Sequence, residues 1–179
     1  MGLSPHVIVV WCNVRGARGH RAPPELVDEV EGLIPTILLP EGVLEPFLRL
    51  RVRVCRDARC VEGVGVANSG FAGREPEIVA QQELLRELLG EGASVVLVKR
   101  VLADGSRVLM PRLTEPLEVY LVAEDRVEGP VKSYAYMTRG RFILLNDALL
   151  SKLSVVILDP YEGLWCFRDE LGRVERRGV

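Results

Sequence analysis

Hydrophobic and polar positions alternate over much of the chain, most sharply at 47–54. There Leu48, Leu50, Val52 and Val54 fall on one face and Arg49, Arg51 and Arg53 on the other, the period-two pattern of a strand with one buried face. Residues 60–67 carry a second such run. The intervening Arg56-Asp57-Ala58-Arg59 makes the two a hairpin. Further strands are predicted at 94–102 and 107–110, joined by Ala103-Asp104-Gly105-Ser106 with its Asp-Gly tight-turn signal. More follow at 117–123, 131–137 and 141–145. A last pair, 155–158 and 164–167, flanks the turn Asp159-Pro160-Tyr161-Glu162-Gly163. Two short segments change period. Ile78, Leu84, Leu85, Leu88 and Leu89 recur at helical spacing, predicting a helix over 77–89 with Gly90 as its C-cap. Asn146-Asp147 caps a second helix ending near Leu153.

The first 46 residues are less regular. Residues 7–12 form an apolar strand and 15–21 a basic, glycine-rich loop. Pro23-Pro24 opens a short helical stretch, and 34–44 is an apolar connection broken by Pro35, Pro40 and Gly42. Many short strands with few helices predict a mainly β barrel. The division expected is an N-terminal extension over 1–46 packing on the main domain, a barrel domain over 47–170, and a charged tail over 171–179.

Composition narrows the classes. A chain of 179 residues with 48% hydrophobic content supplies a full core without a disulfide scaffold. No apolar run approaches the ~18 residues of a membrane span, and the start has neither basic n-region nor cleavage site, so a cytoplasmic protein is expected. A net charge of -2 gives no electrostatic basis for nucleic-acid binding. Cys12, Cys55, Cys60 and Cys166 make no CxxC pair, and His6 and His20 are remote from the later cysteines, so neither zinc nor any cofactor is expected. Cys55 and Cys60 flank the first hairpin turn. Two buried thiols are the favoured reading and a cross-strand bridge the other. Only two glutamines and three asparagines occur, and arginine greatly outnumbers lysine. Thermophilic origin produces that bias, and so does genome base composition.

No phosphate loop, nucleophile elbow or HExxH helix occurs. Arg15, Arg18, His20 and Arg21 form a small basic cluster, for which a solvated loop is the favoured reading and an anion or nucleic-acid contact the other. Trp11, Trp165, Tyr134, Tyr136 and Tyr161 read as core or interface aromatics. Asp104, Asp147 and Asp159 have turn or capping roles, and Asn68-Ser69-Gly70, taken alone, is ordinary turn chemistry.

Three segments in order change that last reading. They are Val64-Gly65-Val66-Ala67-Asn68-Ser69-Gly70-Phe71-Ala72-Gly73 with its helix ending Leu88-Leu89-Gly90, the hairpin Leu102-Ala103-Asp104-Gly105-Ser106, and Phe142-Ile143-Leu144-Leu145-Asn146-Asp147-Ala148-Leu149-Leu150-Ser151-Lys152-Leu153 continuing to Asp159. Together they resemble the single-domain, retropepsin-like aspartic peptidases: the strand and Asp-Thr/Ser-Gly loop, the hairpin, and the hydrophobic-hydrophobic-Gly strand end with its short helix. The resemblance covers roughly 47–168. It departs at two positions. Asn68 stands at the catalytic aspartate, and Leu145 stands where a glycine usually follows the hydrophobic pair.

The resemblance implies a retropepsin-like acid-protease half-barrel with two short helices, working as a homodimer that contributes one loop per subunit to a shared site. In the family two carboxylates share a proton there, one as base on water and one as acid. An amide at Asn68 does not titrate and is no general base. The expectation is therefore a catalytically degenerate motif at Asn68, Ser69 and Gly70, in a dimer that binds an extended peptide or protein without cutting it. Asp104 and Gly105, as a flap hairpin, and Asp147, lining the groove, are the candidate binding residues. A hydrolase whose acid comes from another residue or subunit, and a purely structural oligomer, stay open beside it.

Overall fold

The structure, a computed structural model, describes residues 48–67, 71, 73–90, 93–101, 107–140 and 142–179. The expectations for 7–12, 15–21 and 23–30 lie outside those residues, as does Trp11.

Strands β1 (Arg49–Arg56) and β2 (Arg59–Ala67) pair antiparallel from Arg49↔Val66 to Arg56↔Arg59. Asp57 turns the chain with φ 54°, the left-handed geometry of primed hairpin turns. The alternating face behaves as its pattern requires: Leu48, Leu50, Val52 and Val54 are all at most 1% exposed. Cys55 and Cys60 face each other in this register and form a disulfide. The reading as free thiols is thus corrected. In-register pairing brings the two Cα atoms to 4.1 Å, well inside the ~7 Å limit for bridging.

The helix expected over 77–89 divides in two. Glu77–Gln81 is strand β3, and only Gln82–Leu89 is helix α1. β3 lies between β7 on one side, parallel, and β8 on the other, antiparallel. With Glu77, Ile78, Val79 and Ala80 all buried, both faces are covered and the polar alternation that marks a strand disappears. Leu85 and Leu88 hold α1 on the barrel. Gly90, at φ 64°, ends it and donates its N–H to the Arg86 carbonyl.

β4 (Val95–Val101) and β5 (Arg107–Leu113) form a second hairpin, with Pro111 opposite Leu97. β6 (Leu117–Val122), β7 (Val127–Thr138), β8 (Ile143–Leu145) and helix α2 (Asp147–Lys152) follow. β9 (Val155–Asp159), β10 (Leu164–Phe167) and β11 (Arg176–Arg177) make a separate three-stranded sheet. In the main sheet the order is β3-β8-β2-β1-β6-β7, and β7 pairs back onto β3. That closes a six-stranded barrel, the closure that removes exposed edges. β5 and β4 extend from β7 outside the ring.

The barrel core joins Leu50, Val52, Ile78, Leu85, Leu121 and Leu149 to Trp165 and Phe167 of β10. A smaller cluster, Val79, Met110 and Tyr136 with Phe71, Val98 and Leu144, sits on the opposite face of β3 under the β4–β5 hairpin. The C-terminal residues are tied in. β11 pairs with β10, and the N–H of Val179 donates to the carbonyl of Arg49 (3.0 Å). Among the described residues, no helix is long and apolar enough to cross a membrane.

Candidate functional site

Where β2 ends, β8 runs beside it in parallel: Gly65↔Ile143, Val66↔Leu144, Ala67↔Leu145. Glycine permits the approach. A Cβ on Gly65 would stand 2.9 Å from Leu145 Cδ1, and one on Gly63 3.0 Å from Ile143 Cδ1. Because the ladder is parallel, the chain leaves β2 toward Asn68 and leaves β8 toward Asn146 at the same end of the barrel. Two of the three segments that carry the family resemblance therefore lie side by side here. Asn68, Ser69 and Gly70 themselves are outside the described residues, and so are Asp104 and Gly105 of the hairpin tip. Asp147 is described: it is exposed, in the first turn of α2.

The residue next to it organises the site. Asn146 is fully buried. Its Oδ1 accepts from the Leu149 N–H (2.9 Å), capping α2, and from the Glu77 N–H (3.0 Å) at the start of β3. Its Nδ2 donates to the Glu75 carbonyl (2.8 Å). One amide thus fixes the helix that follows β8 to the strand that follows the Asn68 loop, satisfying three backbone groups that would otherwise be costly to bury.

Glu77, only 5% exposed, points away from the barrel core into the smaller cluster. Its Oε1 accepts from the hydroxyl of Tyr136 (3.0 Å) and from the guanidinium of Arg100, which reaches in from β4 and also donates to the Tyr136 hydroxyl. Arg100 lies over the ring of Tyr136 (4.6 Å) and the ring of Phe71 (6.0 Å), and Phe71 meets Tyr136 edge-on. Phe71 belongs to the segment that follows Gly70. The hairpin, the barrel wall and the end of the Asn68 loop thus converge on one ion pair. Glu77 Oε2 has no hydrogen-bond partner and faces Gly73, where a Cβ would stand 2.5 Å from it and force the Glu77 and Asn146 side chains to shift. Burial, then the neighbouring Glu77 carboxylate, pushes the Tyr136 phenol above its ordinary value, Arg100 opposing.

Chemically this is a single buried carboxylate held by a cation and a phenol. Among the described residues, no group of three or more His, Cys, Asp and Glu is placed to hold a metal. Glu77, Arg100, Tyr136 and Asn146 share this site, yet none stood out in the sequence as a site residue. Glu77 looked like the first turn of a helix and Arg100 like the polar side of a strand. Only the capping role of Asn146 was legible.

A concavity of about 530 Å³ opens elsewhere, between the start of β1, the β6–β7 turn and β11, with Arg49, Arg51, Trp165 and Val179 on its walls. Arg176 bridges Asp125 (2.6 Å) and Glu170 (2.6 Å) there. Hydrogen bonding from Arg176 is the main reason both carboxyls sit below their usual range. Compared with models of known protein families and with curated proteins, the chain matches none.

Proposed function

We propose that the chain is a catalytically degenerate relative of the retropepsin-like peptidases: a homodimer that holds an extended peptide or protein segment in a groove and does not cleave it. The observation that carries the proposal is Asn68, a side chain that cannot titrate, at the end of a strand whose last residues pair in parallel with Val66↔Leu144 and Ala67↔Leu145. Supporting it, the described elements include, in the order that the resemblance expects, a hairpin strand, a leucine-rich helix, a second hairpin, a strand end, a short helix and a following strand, with β3, β6 and β7 between them. Peptide capture in such a groove rests on backbone hydrogen bonds to an extended ligand, and those need no carboxylate pair.

The alternative hydrolase reading finds its carboxylate in Glu77, whose Oε2 is free of partners. Its engagement by Arg100 and Tyr136 favours a structural role instead. Multi-angle light scattering of the full chain, with and without an unfolded carboxymethylated protein, tests the proposal. The expected result is a dimer burying about 1,200 Å² or more, which binds the unfolded protein and releases it at unchanged mass. A monomer at micromolar concentration, or a dimer that leaves the unfolded protein unbound, contradicts it. Cleavage that Glu77→Gln abolishes establishes the hydrolase instead.

A further inference from the structure

We infer that the Cys55–Cys60 bridge is a site of thiol–disulfide exchange with a low-molecular-weight thiol, entered at Cys60. Its position suits reactivity better than stabilisation. The two cysteines are paired across the ladder one residue pair before a two-residue turn, with Arg56↔Arg59 closing the hairpin on one side and Val54↔Val61 continuing it on the other. The hairpin therefore closes the loop without the bridge. A cross-link restrains the unfolded chain least when the loop it closes is short, and this one has a sequence separation of only 5. Val52 and Val54, fully buried, anchor β1 independently.

The two sulfur-bearing residues differ in access. Cys55 is 4% exposed and packed toward β6, opposite Glu118, whereas Cys60 is on the exposed side of the tip. Arg56 and Arg59 flank the pair. Arg56 is engaged by Glu115 (2.5 Å), and Arg59 Nη1 extends toward Gly90 at the end of α1. Asp57 and Glu118 are the acids on the neighbouring backbone. Cys60 being the exposed partner, its sulfur is the one an external thiolate reaches first.

The exchange balances with the external thiol alone. Its thiolate attacks the Cys60 sulfur, forming a mixed disulfide and expelling Cys55 as thiolate, which takes a proton from solvent. A neutral Cys55 thiol is a small hydrophobe suited to its buried place. A second thiol attacking the mixed disulfide leaves both cysteines reduced and the external thiol as its own disulfide. Return of the Cys55 thiolate onto the mixed disulfide reverses the first step.

The test is peptide-mapped mass spectrometry of the full chain in glutathione redox buffers without denaturant, followed alongside by far-ultraviolet circular dichroism. The bridge is expected to open with the dichroism unchanged and with a fall in Tm of only a few degrees. Cys55→Ser should take glutathione on Cys60 at least tenfold faster than Cys60→Ser takes it on Cys55. A bridge that opens only in denaturant, a native spectrum lost on reduction, or equal labelling of the two variants overturns the inference. If either variant fails to fold, peptide mapping of the wild-type mixed disulfide decides: glutathione found on Cys60 supports the inference, and glutathione found chiefly on Cys55 overturns it.

Discussion

Asn146 ties together backbone groups from positions 75, 77 and 149. Replacing it with alanine removes a helix cap and leaves buried donors and an acceptor unpaired. The loss should be about 2–3 kcal/mol, read by urea denaturation with an unchanged m-value. The cap was legible because an asparagine before Asp147 and an apolar run is a local signal. Its bonds to 75 and 77 were not, since nothing local marks a partner about seventy residues away. Tyr136 behaves similarly: its aromatic character predicted burial, not the contact with Glu77. Its phenol is held above the ordinary value by burial and by that carboxylate. A raised folded value means its contribution is fully present below the unfolded tyrosine pKa of about 10 and is lost as pH rises through the folded value. Stability should therefore fall on the alkaline side of pH 10 more steeply in the wild type than in Tyr136→Phe. Parallel alkaline limbs in thermal melts of the two proteins would remove Tyr136 from the account.

Among the elements, those with one wet face were readable and those with none were not. β1 and β2 alternate because one side of the hairpin meets solvent, as the exposed Arg51 shows. β3 is enclosed on both faces and by neighbours on both edges, so its apolar run merged with the leucines of α1. Leu145, which departs from the family's glycine, is accommodated by the glycines opposite it. Gly65 leaves room for its side chain and Gly63 for that of Ile143. Gly65→Val fills that room, and Leu145 with the backbone of β8 must move. A cost of about 2–3 kcal/mol is expected from overpacking. Hydrogen exchange should speed up first in β8 and α2, leaving the β4–β5 hairpin protected. Uniform loss of protection across the barrel would mean that β8 is not seated by these glycines.

At the scale of the molecule, the barrel closes through β3 and β7, a parallel pairing that joins distant parts of the chain and that no periodicity encodes. Sequence periodicity therefore reached the mainly β class and stopped short of the closure. Trp165, Cys166 and Phe167 of β10 are buried within their own chain and offer nothing to a partner. Arg126 and Arg176 pack over the Phe167 ring at 3.8 and 5.1 Å. The proposed dimer rests on the resemblance and on the end of the barrel where the segments holding Asn68 and Asn146 leave β2 and β8. The chemistry proposed for that end is a scaffold kept and an acid lost. It is tested most directly by following cleavage of an unfolded protein between roughly pH 3 and 7, the span in which paired carboxylates work, for the wild type, Asn68→Ala and Asn68→Asp. The account predicts no cleavage by the first two and acid-dependent cleavage by Asn68→Asp, with two carboxyls titrating as a coupled pair. Cleavage by the wild type that Asn68→Ala leaves unchanged would contradict it.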